Sequence, residues 1–248
     1  MRKSKVCILI PARFASSRFP GKPLAQILGI PMIVRVATIC QEAVGREATY
    51  VVTDDERIAA VCQENQIKFI LTEGKFETGT DRIASVIDLI EAEIIINVQG
   101  DEPCISVTDI HAAIKAKQEN TNSVVNGYCT VELNSNQEHF SIPKVVISET
   151  GKLIYISRAN IPVEYKRNAE NHLQVYLRQV CIYAYNREEL QMFANSGSRG
   201  LLEAKEDIEI IRFLENGTNV KMIPMSPSIA VDFPSDIQKV CDYLEAMS

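Results

Sequence analysis

The sequence has no apolar run approaching the roughly 20 residues that a membrane-spanning helix requires. Its charged start, Met1 to Lys5, leads only into the short run Val6 to Ile10 before Pro11. The expectation is a soluble cytoplasmic protein without a membrane partner. Paired cysteines are also lacking. The seven cysteines, at 7, 40, 62, 104, 129, 181 and 241, are odd in number and form no C-x-x-C, which argues against a disulfide framework or a thiolate metal site. They read as small, buried and inert. Positive charge is in deficit, with 26 Lys and Arg against 32 Asp and Glu, and a net charge of -6 speaks against a nucleic-acid surface. The chain also lacks the G-x-x-x-x-G-K-[ST] phosphate loop, the G-x-G-x-x-G dinucleotide turn, internal repeats and low-complexity tracts. What remains, 248 residues of which 46% are hydrophobic, is ample for a buried core.

Short apolar strands alternate with helices through the first half. Lys5 to Ile10, "ATYVVT", "IKFIL" and "EIIINV" read as strands. "PMIVRVATICQEA", "DERIAAVCQEN", Thr80 to about Ala92 and Thr108 to about Gln118 read as helices. Such βαβ units predict a doubly wound, mostly parallel α/β sheet covered on both faces. From about 123 to 185 the pattern changes to extended segments without helices, which predicts a smaller mixed or antiparallel lobe inserted for substrate binding or dimerisation. Helices near Leu202 to Asn216 and Ser235 to Met247 flank a last strand, "NVKMIPM". No linker interrupts residues 1–248, so one continuous domain is expected.

Ligands of open α/β sheets bind beyond the carboxyl ends of the strands, so the loops there are the places to look for chemistry. The first such loop, "PARFASSRFPGKPL", carries Arg13, Arg18 and Lys22 among prolines, with Gly21 allowing close backbone approach. Three cations on so stiff a loop, in an acidic protein, predict an anion site; the plainer reading is a solvated loop. "TEGKFETGTDRI" sets Thr78, Gly79, Thr80 and Arg82 at a helix start, where either an oxygen-rich ligand or simple capping by Thr78 or Thr80 with Asp81 would account for them. "QGDEP" follows the strand expected to be central, and "AVDFPSDI" follows the last strand. Asp101 and Asp232 there could together hold Mg²⁺ against substrate phosphates.

The segments "IPARFASSRFPGKPLAQILGIPMI", "TDDERI", "TGTDRI", "NVQGDEP", "SRANIP" and "VDFPSDI" resemble, in order and spacing over nearly the whole chain, the 3-deoxy-manno-octulosonate (Kdo) cytidylyltransferases, or CMP-Kdo synthetases. The first segment is the most specific, because related sugar nucleotidyltransferases carry G-G-x-G-T-R there and sialic-acid cytidylyltransferases P-A-R-G-G-S-K. The resemblance implies a nucleotide-diphospho-sugar transferase fold, a homodimer, Mg²⁺ as cofactor, and formation of CMP-Kdo and pyrophosphate from CTP and Kdo for lipopolysaccharide. It implies a nucleotide site of Pro11, Ala12, Arg13, Arg18, Lys22, Thr78, Gly79, Thr80, Arg82 and Gly100. Arg13, Lys22 and Asp101 would be catalytic, and Asp101 and Asp232 metal-binding.

On the sugar side, strand alternation in "YLRQVCIYAY" places Gln179, Tyr183 and Tyr185 on one face and Arg178 on the other. Glu203 and Glu206 stand three apart on one expected helix face, with Ile210 next along it; alone, that face reads as an exposed acidic helix. The resemblance implies that these acids, with Gln99, Arg158, Gln179 and Tyr183, address the sugar. The chain departs from the family at Gln179, usually histidine, and in "VDFPSD" for "VDTPED". These departures leave open whether the ulosonic acid is Kdo, an amino variant of it or another sugar acid. A nucleotide-binding regulator without catalysis is the alternative of another class.

Overall fold

The computed structural model describes residues 5–134, 137, 139–163, 165 and 173–247. The first four residues of the charged start and parts of the 123–185 segment lie outside them. In chain order the elements are β1 Val6–Ala12, β2 Gln26–Ile27, β3 Ile30–Pro31, α1 Met32–Val44, β4 Thr49–Thr53, α2 Glu56–Glu64, β5 Lys68–Leu71, α3 Gly79–Ala84, β6 Ile94–Val98 and α4 Val107–Glu119. There follow β7 Val124–Asn134, β8 Lys144–Ile147, β9 Leu153–Ser157, β10 Leu173–Tyr185, α5 Arg187–Asn195, α6 Leu201–Glu206, α7 Ile211–Glu215, β11 Val220–Pro224 and α8 Asp236–Met247.

The sheet is nine-stranded, in the order β11-β7-β10-β6-β1-β4-β5, with β8 pairing β10 and β9 pairing β8. Strands β6, β1, β4 and β5 are mutually parallel, while β10 runs antiparallel to β6, β7 and β8. This mostly parallel sheet with helices is the predicted class, and segment 123–185 supplies its mixed half. Alternation along β1 explains why both faces are covered. Ile8, Ile10 and Ala12 share one core with Ile33, Val36, Ala37 and Cys40 of α1 and Ile110 of α4. Cys7 and Leu9 point into the other, with Ile83 of α3, Leu190 and Phe193 of α5 and Phe213 of α7. Each isoleucine buried in this way contributes roughly 1.5–3 kcal/mol. A third, small cluster of Ile27, Met32, Val231 and Val240 packs α8 beside the opening loop.

Two helix expectations need correction. The helix expected from Thr80 to Ala92 ends at Ala84, and a separate 3₁₀ turn, Ile87–Leu89, follows. The Ser85 hydroxyl donates to the Arg82 carbonyl at 2.7 Å, and the β-branched Val86 and Ile87 come next; both features favour leaving the helix. The helix expected over 202–216 breaks at Asp207, which sits in the left-handed region at φ 52°. Aspartate tolerates that conformation, and Arg199 donates to its carboxylate at 2.6 Å. Ile210 is therefore not on the face that carries Glu203 and Glu206. Helix α5 had no counterpart in the sequence reading, although Asn186 and Glu189 form a capping box at its start. Glu189 also accepts two 2.7 Å hydrogen bonds from the buried Lys117 of α4, tying the two helices together. All seven cysteines are free. No helix of the described residues is long and apolar enough to cross a membrane.

Candidate active site

Strands β1 and β6 lie side by side, so the loops beyond their carboxyl ends share one cleft, which the loop after β5 closes. The cleft is wide open to solvent and encloses about 770 Å³ including its mouth. Its lining includes Pro11, Ala12, Arg13, Arg18, Lys22, Thr78, Gly79, Arg82, Gln99, Gly100 and Asp101. Those residues come from three sequence segments singled out for their chemistry, and the fold brings them together. Ser16, Pro23, Phe76 and Glu77 complete the wall.

The opening loop folds back on itself because Gly21 adopts φ 73°, which a side chain would disfavour, and donates its N–H to the Phe14 carbonyl at 2.9 Å. This return places Lys22 in the cleft. Its Nζ reaches Asp101 Oδ2 at 2.6 Å and the Val231 carbonyl at 2.8 Å. Arg18 pairs with Asp232 at 3.1 Å and lies 5.6 Å from the centre of the Phe233 ring. Phe233, one of the two departures that left the sugar open, thus lies beside Arg18 at the cationic end of the cleft. Asp101 and Asp232 belong to adjoining segments joined by the Val231 N–H to the Asp101 carbonyl at 2.9 Å. Their side chains are 31% and 30% exposed. No group of three or more metal-binding side chains occurs among the described residues. Two carboxylates about a third exposed, beside the cations of Arg18 and Lys22, fit Mg²⁺, which takes one or two protein carboxylates and leaves its remaining positions to water and phosphate oxygens.

The facing wall is held from within. Buried Arg82 donates to Asp54 and to Thr72 Oγ1, each at 2.8 Å. Thr78 caps α3 in a capping box with Asp81, so the plain reading of that motif holds even though Thr78 also lines the cleft. Gly79 is required by space, since a Cβ there would lie 2.9 Å from the Gln99 amide and 3.0 Å from Pro11. Thr80 is buried behind the wall and does not line it. Its N–H is taken by Glu209 at 3.0 Å and its hydroxyl lies 3.2 Å from that of Tyr185, so it is not available to a ligand as expected.

Glu209 is the residue that sequence reasoning missed. It follows the break at Asp207, where a continuous helix had been expected, and only the "EDIE" cluster of charge hinted at it. Its carboxylate joins Thr80 to the Gln99 amide, at 2.9 Å, and burial pushes its pKa above the ordinary range. Behind it lies a polar chain. The Gln179 amide donates to Asn126 Oδ1 at 2.9 Å and approaches the Tyr183 hydroxyl at 3.3 Å. Asn126 in turn donates to the carbonyls of Val180 and Ile182, which a bulge in β10 would leave unpaired. The bulge adds two residues to β10, an even number, so Gln179 and Tyr183 keep the shared face that alternation predicts. Burial holds the Tyr183 pKa well above that of a free tyrosine.

Five expected sugar contacts, buried Tyr183 among them, therefore lie elsewhere than the lining. Gln179 is buried in the layer behind Gln99. Glu203 is fully buried and committed to Arg212, at 2.6 and 2.8 Å, which also holds Asp81 at 2.6 Å; this corrects the exposed acidic face. Arg158 spends its guanidinium on the main-chain oxygens of Glu206, Phe140 and Asp207. Glu206 accepts from Ser157 Oγ at 2.6 Å and from the Arg158 N–H at 2.9 Å.

An open cleft at the carboxyl ends of a mostly parallel sheet, lined by cations with two carboxylates paired to them, defines a nucleotidyltransferase-like site. A family model described as cytidylyltransferase matches residues 7–222. The 3-deoxy-manno-octulosonate cytidylyltransferase of Escherichia coli is 36% identical over 96% of this chain and 95% of its own length. That of Geotalea uraniireducens is 37% identical over 97% and 99%. A solved CMP:2-keto-3-deoxy-manno-octonic acid synthetase complexed with CTP superposes with a TM-score of 0.88 at 34% identity, covering 99% of this chain and all of that one. HddC from Yersinia pseudotuberculosis, at 16% identity and a TM-score of 0.67 over 97% and 99%, shares the fold alone. The chain belongs to the 3-deoxy-manno-octulosonate cytidylyltransferase family.

Proposed function

We propose that this protein transfers CMP from CTP to the anomeric hydroxyl of Kdo, releasing pyrophosphate, as a cytoplasmic Mg²⁺-dependent homodimer serving lipopolysaccharide synthesis. The observation that carries the reading is the convergence of Arg13, Arg18 and Lys22 with Asp101 and Asp232 at one end of the cleft, in a chain whose relatives are named for this reaction. Arg13, Arg18 and Lys22 bind the triphosphate and oppose the charge that grows on departing pyrophosphate. The wall formed by Thr78, Gly79, Arg82 and Gly100, with Pro11 and Ala12 opposite, borders the cytidine and holds the α-phosphorus in position. Asp101 and Asp232 would hold Mg²⁺, which supplies charge to the phosphates and acidity to the attacking hydroxyl. Gln99, fixed by Glu209, presents its remaining amide valences to the sugar, and Tyr183 and Gln179 stiffen it from behind. Arg158 and Glu206 shape that end through the main chain. The anomeric oxygen attacks the α-phosphorus in line, the α–β bridging bond breaks, and positioning does most of the work because no covalent enzyme intermediate is needed.

The test is pyrophosphate release with CTP and Mg²⁺ in the presence of Kdo, an amino-substituted Kdo and a sialic acid. Release dependent on Kdo supports the reading. Release with only another ulosonic acid would reassign the substrate, and none with any sugar would leave a nucleotide-binding protein without this chemistry.

A further inference from the structure

The segment Thr53 to Arg57, the start of "TDDERI", lies next to the cleft but does not line it. Its second aspartate has two jobs. Asp55 caps α2 by accepting the Arg57 N–H at 3.0 Å, and it clamps the Arg57 guanidinium through Nε at 3.0 Å and Nη2 at 2.7 Å. Helix α2 is itself fixed to the core by Ile58, Ala59 and Cys62. The guanidinium is therefore aimed before it touches anything else, and it lies over the Phe14 ring, 3.2 Å from the centroid. Phe14 stands directly after Arg13 in the opening loop. Its ring also meets Gly21, where an added Cβ would come within 3.0 Å of it, and its carbonyl receives the Gly21 N–H. Gly21 immediately precedes Lys22.

We propose that Arg57, oriented by Asp55, is a positioning residue that latches the phosphate-gripping loop to α2 through the ring of Phe14. The inference rests on the reading of the cleft as the CTP site. The loop bears Arg13, Arg18 and Lys22; its far end is held by ion pairs and by the packing of Phe19, Pro23 and Leu24, and its near end by the Phe14 turn, whose ring packs against the core. A cation stacked on that ring lowers the number of arrangements the loop samples before CTP arrives, so less freedom is lost on binding. Arg57 acts only through Phe14, and its influence is confined to groups that the loop contacts, the β- and γ-phosphates.

The experiment is calorimetric titration of the full chain with CTP and with CMP, in excess Mg²⁺, for the wild type, R57Q, R57K, F14L and R57Q/F14L, with thermal melts of each. An exposed cation over an aromatic face predicts a roughly two- to fivefold weaker CTP affinity in R57Q. CMP affinity and melting temperature are expected to be unchanged, R57K to recover part of the loss, and the double variant to bind no worse than F14L. Equal losses for CTP and CMP, losses that multiply in the double variant, or no loss in R57Q while the wild type binds CTP would each overturn the latch. A wild type that binds neither nucleotide would overturn the CTP reading itself, which keeps the two failures distinct.

Discussion

Replacing Lys22 with alanine separates the two halves of the proposed chemistry, because the same side chain touches both. In the free protein its ammonium sits 2.6 Å from Asp101 and 2.8 Å from the Val231 carbonyl. To grip CTP it must turn part of that hydrogen bonding to the β- and γ-phosphates. A hydrogen bond to a charged group contributes roughly 1.5–3 kcal/mol, or about 10- to 150-fold in affinity. The cost of loosening the Asp101 pair offsets some of this, so the expected loss for CTP is near the lower end, roughly 10- to 30-fold. CMP lacks the groups concerned and should bind within about twofold of wild type. Mg²⁺ alone should move in the opposite direction and bind the variant more tightly, because Asp101 has lost its competing cation. Calorimetry with CTP, CMP and metal alone reads all three. Equal losses for CTP and CMP would place Lys22 at the nucleoside end, and metal binding that weakens would show that Asp101 is not a ligand held in check by Lys22.

The remaining predictions concern other parts of the molecule. Asp101→Asn and Asp232→Asn should each lower turnover at least about a hundredfold while leaving the melting temperature near wild type, since each removes an anionic ligand from a half-exposed loop; near-normal turnover at saturating Mg²⁺ would refute the two-carboxylate assignment. Lys117→Ala strands the Glu189 carboxylate between α4 and α5, where burial already pushes its pKa up. Urea denaturation should show a loss of roughly 3–5 kcal/mol, and a loss under 1 would mean that water or rearrangement satisfies the site. Gln179→His should change the ratio of kcat/KM between Kdo and analogues altered in a hydroxyl or amino substituent, because it perturbs the Asn126–Tyr183 layer behind Gln99, with KM for CTP unchanged. An unaltered ranking of sugars would make this departure neutral.

How much was legible depended on whether a signal was local. Strands β1, β4 and β6 announce themselves as apolar runs, and the segments carrying Arg13, Lys22, Gln99 and Asp101 follow their strands directly, so the cationic half of the cleft could be read from order alone. The half proposed to take the sugar could not. It depends on a left-handed Asp207 that ends α6 early and on a two-residue bulge in β10 closed by Asn126, and neither leaves a mark in composition. Glu203 looked like an exposed acid because its partner, Arg212, lies beyond that break. Asp232 and Phe233 were recognisable as a motif, but that Phe233 faces Arg18 is a fact of tertiary packing. Helix α5 was missed in spite of a local cue, the Asn186–Glu189 capping box.

The most direct test of the central claim is to incubate the protein with CTP, Kdo and Mg²⁺ and identify every product by mass spectrometry. CMP-Kdo and pyrophosphate are expected in equal amounts, formed only when both substrates are present and lost in Asp101→Asn. Cleavage of CTP to CDP and phosphate, phosphorylation of the sugar, or CTP and Kdo recovered unchanged would contradict that claim.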